Sequence, residues 1–175
     1  MCFHASRFDA RANDNGEMIL YEDQNELLWD RELINKGIYH LNQASTGTTL
    51  TKYHLEAGIA YWHTIKDDTP EKWENILQLY NNLLIMEYSP IAALNRTFAL
   101  AKTNGKPAAI AEAEKLNLSN NHFYYSLLGN LYTGVDNQKA LQHYQTAMTL
   151  ATSASDKATM AGNIERLKKV INNSA

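Results

Sequence analysis

Helix breakers and cysteine are both scarce in this chain. Its 175 residues include one cysteine, three prolines and eight glycines. A lone cysteine excludes an internal disulfide framework and fits a reducing compartment. So few breakers, with Leu, Ala, Asn and Tyr abundant, favour an all-helical chain. No apolar run approaches the ~18 residues of a membrane-spanning helix. The start, Met1-Cys2-Phe3-His4, has neither the basic nor the apolar region of a signal peptide. A cytoplasmic location without membrane contact is therefore expected. There is no glycine-rich phosphate loop and no G-x-S-x-G elbow.

Charge of one sign is also thin locally. Residues 1–88 hold 7 Lys/Arg against 14 Asp/Glu, a balance of −7, whereas residues 89–175 hold 9 against 5, a balance of +4; together these make the net −3. An acidic front half repels phosphate, so this segment by itself is expected not to bind nucleic acid.

Groups that could carry chemistry are present but dispersed. The six histidines, His4, His40, His54, His63, His122 and His143, share no i, i+3 or i+4 spacing. His63 and Asp67 are four apart, but Asp67 falls in a turn, and a metal site needs more convergent ligands. Cys2 has no base or anion hole near it in sequence, so burial as a small apolar residue is the better reading. Glu22, Glu26 and Asp30, at i, i+4, i+8, suit a helix N-terminus, where negative charge is favourable. No metal, no cofactor and no catalytic residue is expected, and the chain is read as a non-enzyme.

The apolar pattern predicts a succession of helices. Residues 1–13 suggest a helix with Cys2, Phe3, Ala5 and Phe8 as its apolar members, closed by the turn Asn13-Asp14-Asn15-Gly16. Met18 to Tyr21 reads as a short extended link. A helix from about Gln24 to Ala44 carries Leu27, Leu28, Ile34, Ile38 and Leu41 as its stripe and ends at Thr46-Gly47-Thr48. Beyond it a repeat emerges. Ala57-Gly58-Ile59-Ala60-Tyr61 echoes Leu128-Gly129-Asn130-Leu131-Tyr132. Downstream come trios spaced i, i+4, i+7: Ile76, Tyr80, Leu83; Ala109, Ala113, Leu116; and Ala140, Tyr144, Ala147. A small residue lets two backbones approach, and an aromatic ring covers the gap. Ser89-Pro90 reads as a helix start, Asn104-Gly105 as a stop, and Asn120 and Asp136 as caps. Ser155 or Asp156 would open a last helix with the stripe Met160, Ile164, Leu167, Ile171.

The run from Glu22 to Ile34, with Met1-Cys2-Phe3-His4-Ala5-Ser6-Arg7 upstream and Leu94-Asn95-Arg96 downstream, resembles the C-terminal helical domain appended to one group of extracytoplasmic-function sigma factors. The resemblance covers nearly all of the chain and marks Asp23, Gln24, Trp29, Asp30 and Asn95 as signature positions. It implies a TPR-like, right-handed superhelix of antiparallel helix pairs. Residues 1–48 would form an N-terminal helical segment packed on repeats in 49–175, one domain overall with a C-terminal capping helix. It implies a longer protein with sigma domains upstream, and a regulatory role in transcription initiation. The partner would be a protein, either RNA polymerase or the sigma domains of the same chain. A free-standing TPR adaptor for an unrelated peptide or protein is the alternative. Trp29 is read as core, with Asp30 or Asp23 capping a helix. Trp62, Arg96 and Asn130 take equivalent groove-facing positions along the repeats, which makes them the candidate protein-interaction residues.

Overall fold

A computed structural model describes residues 1–11, 19 and 21–173 of the chain. Every regular element among the described residues is helical. The α-helices are α1 (Cys2–Ala5), α2 (Arg31–Ala44), α3 (Lys52–Trp62), α4 (Pro70–Met86), α5 (Pro90–Asn104), α6 (Lys106–Leu116), α7 (His122–Tyr132), α8 (Asn137–Leu150) and α9 (Ala154–Asn173). Short 3-10 turns at Phe8–Ala10, Tyr21–Asp23 and Glu26–Leu28 lie between α1 and α2. None of these helices is long and apolar enough to cross a membrane.

Polar caps open several helices, and two of them, Ser89 before α5 and Asp136 before α8, are those the sequence predicts. Thr69 Oγ1 accepts from the Lys72 amide at 3.3 Å, with Pro70 as the first helical residue of α4. Asp136 Oδ1 accepts from the Lys139 amide at 3.0 Å and opens α8. Gly105, at φ +83, is the single residue separating α5 from α6, and a side chain would be strained in that backbone. Two caps sit beside the predicted ones. Asn121, not Asn120, takes the Phe123 amide at 2.9 Å, and Ser153 rather than Ser155 or Asp156 takes the Asp156 amide at 3.0 Å.

The N-terminal segment departs further from its pattern. The helix expected from Gln24 begins only at Arg31. Trp29 and Asp30 are extended instead, because the Asp30 amide donates to the Ser6 carbonyl at 2.8 Å while Asp30 Oδ1 accepts from the Leu33 amide at 2.9 Å. That break turns Trp29 inward, 4% exposed, and leaves Leu27 87% and Leu28 50% exposed, outside the predicted stripe. Likewise the expected helix over 1–13 is only the four residues of α1 followed by the turn Phe8–Ala10. The turn Asn13–Gly16 lies outside the described residues.

The chain forms two compact units, Met1–Ala99 and Leu100–Ala175. Residues 1–48 therefore share a unit with α3 and α4. Phe3 explains why they do so. Its ring presses on Gly37 of α2, where an added Cβ would come within 2.6 Å, and it lies 5.8 Å from the Tyr61 ring of α3. The main core of this unit joins Leu55 and Ile59 of α3 to Trp73, Ile76, Tyr80 and Leu83 of α4 and Ala92 of α5. A smaller core holds Ala10, Trp29 and Ile34.

In the second unit α6, α7, α8 and α9 each pack on the next, and their short connections make neighbours antiparallel. Ala140, Tyr144 and Ala147 are buried, as are Leu128, Gly129 and Leu131 facing them. Tyr144 covers Gly129 so closely that a Cβ there would lie 2.8 Å from ring carbons. Met160, Ile164 and Leu167 bury one face of α9. The small-residue and aromatic pairing read from the repeat is the packing observed at Gly129, whereas at Gly58 the side chain of Leu79 rather than an aromatic ring lies over the glycine.

Candidate functional site

The signature residues organise the N-terminal segment. Trp29 packs with Ala10 and Ile34, flanked by Tyr21 and Ile38. Arg7 is buried, 7% exposed, and its guanidinium carbon sits 5.4 Å from the Tyr21 ring centre and 5.8 Å from that of Trp29. Burial, followed by the field of Arg11, lowers the Arg7 pKa to about 10. Gln24 is buried; its Nε2 donates to the Ile19 carbonyl at 3.3 Å and its own carbonyl accepts from Lys66 Nζ at 3.0 Å. Asp30 caps α2, whereas Asp23 is exposed.

Tyr21 is the hub of this region, and sequence reasoning missed it. Its hydroxyl donates to the Ile65 carbonyl at 2.9 Å, and Lys72 Nζ donates to that hydroxyl at 2.8 Å and to the same carbonyl at 2.6 Å. Lys66 Nζ donates to the Tyr21 carbonyl at 2.9 Å. Both ammonium groups face the ring, at 4.7 Å for Lys72 and 5.3 Å for Lys66. Lys72 is wholly buried. A lysine in the first turn of a helix carries no burial signal in sequence, because only the fold brings Tyr21, 51 positions upstream, over it. Burial raises the Tyr21 pKa to about 12, with Arg7 opposing.

Beside this region, a trough of about 480 Å³ runs along α3, α4 and α5 with His4 at its edge. Trp73, Ile76, Tyr80 and Leu83 form its floor, and Ile59, Ala60, Ala92 and Phe98 its apolar walls. Polar groups stand at the rim: Lys52 and Glu87, joined at 2.6 Å, then Glu56, His63, Ser89 and Asn95. Asn95 hydrogen-bonds the Tyr80 hydroxyl, whose pKa burial raises to about 12. Burial, then Arg7 and Lys72, lowers the His63 pKa to about 3, and His4 is lowered by burial and then Arg11. The His63 imidazole is therefore neutral at pH 7.

The predicted interaction residues fall around this trough or in the other unit. Trp62 is half-buried against the α3–α4 core, outside the trough lining. Arg96 Nε donates to Asn81 Oδ1 at 2.6 Å, and it too stands outside the lining. Asn130 is exposed on α7 in the second unit, where it hydrogen-bonds Tyr144. Among signature residues Asn95 alone lines the trough. Cys2 is half-buried. Among the described residues no three His, Cys, Asp or Glu side chains converge as a metal site would need.

The model of a family of unknown function (DUF6596) matches residues 1–45. That span includes Trp29, Asp30 and the first turns that hold Arg7 and Tyr21. The chain is also similar to an uncharacterized protein of Rhizobium meliloti (strain 1021), at 34% identity over 167 residues. The match covers 93% of this chain and 39% of the relative, so the chain spans about two fifths of that relative's length.

Proposed function

We propose that this chain is a regulatory, protein-contacting domain of an RNA polymerase sigma factor, and that it has no reaction of its own. The observation that carries the reading is the signature run around Trp29-Asp30, which builds the buried Arg7–Tyr21–Trp29 cluster and sets the entry into α2. Stacked helix pairs offer extended surface for contact with a partner, and a trough runs along α3, α4 and α5. The match of a much longer relative fits a domain that works within a larger protein.

The test is transcription by core polymerase carrying the full-length protein at its own promoter. Arg96→Ala, with folding checked by circular dichroism, is expected to lower transcription without loss of structure. Charge reversal at Glu26 is expected to change the rate and salt sensitivity of association if the acidic front segment is the working surface instead. An upstream gene sequence without polymerase-binding and helix-turn-helix regions would refute the sigma-factor reading. In that case the trough favours the alternative, a free-standing adaptor, since a groove needs no transcription partner.

A further inference from the structure

We propose that Arg7, Gln24 and Trp29 enclose a binding site for one water molecule, which accepts from the Arg7 Nε and Trp29 Nε1 hydrogens and donates to Gln24 Oε1. The site belongs to the N-terminal segment. Its residues do not line the trough, and it does not depend on what the domain contacts.

Three polar atoms in one cluster point to it. Arg7 Nε, Trp29 Nε1 and Gln24 Oε1 are each buried without a hydrogen-bond partner among the described residues. Arg7 is 7%, Trp29 4% and Gln24 8% exposed, so bulk solvent does not satisfy these atoms. All three residues pack around Tyr21. The Arg7 guanidinium carbon lies 5.4 Å from the Tyr21 ring centre and 5.8 Å from that of Trp29. The Tyr21 and Trp29 rings are 6.3 Å apart, and the Gln24 backbone amide donates to the Tyr21 carbonyl at 3.3 Å. A water that bonds two groups at ~2.9 Å each bridges atoms up to ~6 Å apart, the scale of these separations.

The unmet bonds select the ligand. Arg7 Nε and the Trp29 indole nitrogen only donate, whereas Gln24 Oε1 only accepts. The Gln24 amide has a fixed orientation, because its Nε2 donates to the Ile19 carbonyl at 3.3 Å. Two donors and one acceptor are therefore left over. Water has two lone pairs and a hydrogen to match them, and buried waters typically make about three hydrogen bonds to such groups. The charge of Arg7 would also attract a small anion. An anion, however, has no hydrogen for Gln24 Oε1 and sets a second acceptor against it. Asp67, Asp68 and Glu26 already act on the adjoining Tyr21. The same count explains polar groups in a cluster otherwise built on Ala10 and Ile34. Phenylalanine could fill much of the space of Trp29 but would leave the water one bond short.

Water-selective NOE and ROE spectra of the 15N-labelled chain test this. The Trp29 Nε1 and Arg7 Nε hydrogens are each expected to show a water cross-peak of opposite sign in the two spectra. Opposite signs mark a water held for as long as the molecule tumbles, whereas hydrogen exchange gives the same sign in both. The Trp73 indole, bonded to Asp68, is the internal reference and is expected to show none. Gln24→Met, with folding checked by circular dichroism, is expected to remove both cross-peaks together. Replacing chloride by gluconate in the buffer is expected to leave both hydrogens unshifted. Absence of the cross-peaks in the parent chain, survival of either one in folded Gln24→Met, or a saturable chloride-dependent shift would each overturn the proposal. The parent-chain spectra decide the matter even where Gln24→Met does not fold.

Discussion

Gly129→Ala probes the close crossing of α7 and α8. The new Cβ would sit 2.8 Å from Cδ1 and Cε1 of Tyr144 and 2.9 Å from its Cγ. No real contact is that short, so either the ring or the helix must move. The ring cannot simply swing away, because it is buried and its side chain is hydrogen-bonded to Thr133 and Asn130. Overpacking of this kind costs about 1–3 kcal/mol. Against it stands the intrinsic gain of alanine over glycine in a helix, up to ~1 kcal/mol. The net expectation is a loss of roughly 0–2 kcal/mol. Gly162 supplies the reference within the same compact unit: it is exposed on α9, and a Cβ there meets nothing within 4 Å. Gly162→Ala should therefore stabilise by ~0.5–1 kcal/mol. The two variants should differ by about 1–3 kcal/mol, which is the packing term itself. Gly58→Ala falls between them, since its Cβ would meet only the flexible end of Leu79 at 3.2 Å. Urea denaturation with unchanged slope is the assay. Equal stabilisation by Gly129→Ala and Gly162→Ala would refute the close α7–α8 crossing and, with it, the repeat packing.

The remaining predictions concern the N-terminal unit. Lys72→Met should destabilise by about 1–3 kcal/mol, because the Ile65 carbonyl and the Tyr21 hydroxyl lose a buried donor; unchanged urea stability would show that the ammonium does not hold this junction. Acidification should weaken the fold through His63. Its folded pKa of about 3 lies below the ordinary 6.5, so below pH 6.5 the unfolded chain binds the proton first. The stability is whole above pH 6.5 and falls progressively toward pH 3, by about 1–2 kcal/mol between pH 7 and 5. His4 and His143, also lowered, act in the same direction, so His63→Gln should flatten the pH dependence of melting without removing it. A slope identical to that of the parent chain would refute burial of a neutral His63.

Some helix starts and the packing of the last repeat are local properties, and for that reason they were legible in the sequence. The Ser89-Pro90 and Asp136 starts depend on residues within one turn, and the trios Ile76, Tyr80, Leu83 and Ala140, Tyr144, Ala147 face inward because their spacing follows one side of a helix. Within the Trp29 run that the resemblance marks, Trp29 is buried and Asp30 caps α2, whereas Asp23 is exposed. Tertiary contacts decided what periodicity could not. Asp30 breaks the expected Gln24–Ala44 helix because its amide reaches Ser6, 24 residues earlier, and that bond turns Trp29 inward while Leu27 is left in solvent. Lys72 is buried because Tyr21 and the Ile65 carbonyl are brought to it. The trough exists because three helices place Ile59, Tyr80, Asn95 and Glu56 along one channel. A residue's helical face follows from its own neighbours in sequence, whereas burial of a charge and the lining of a groove depend on which distant segments arrive.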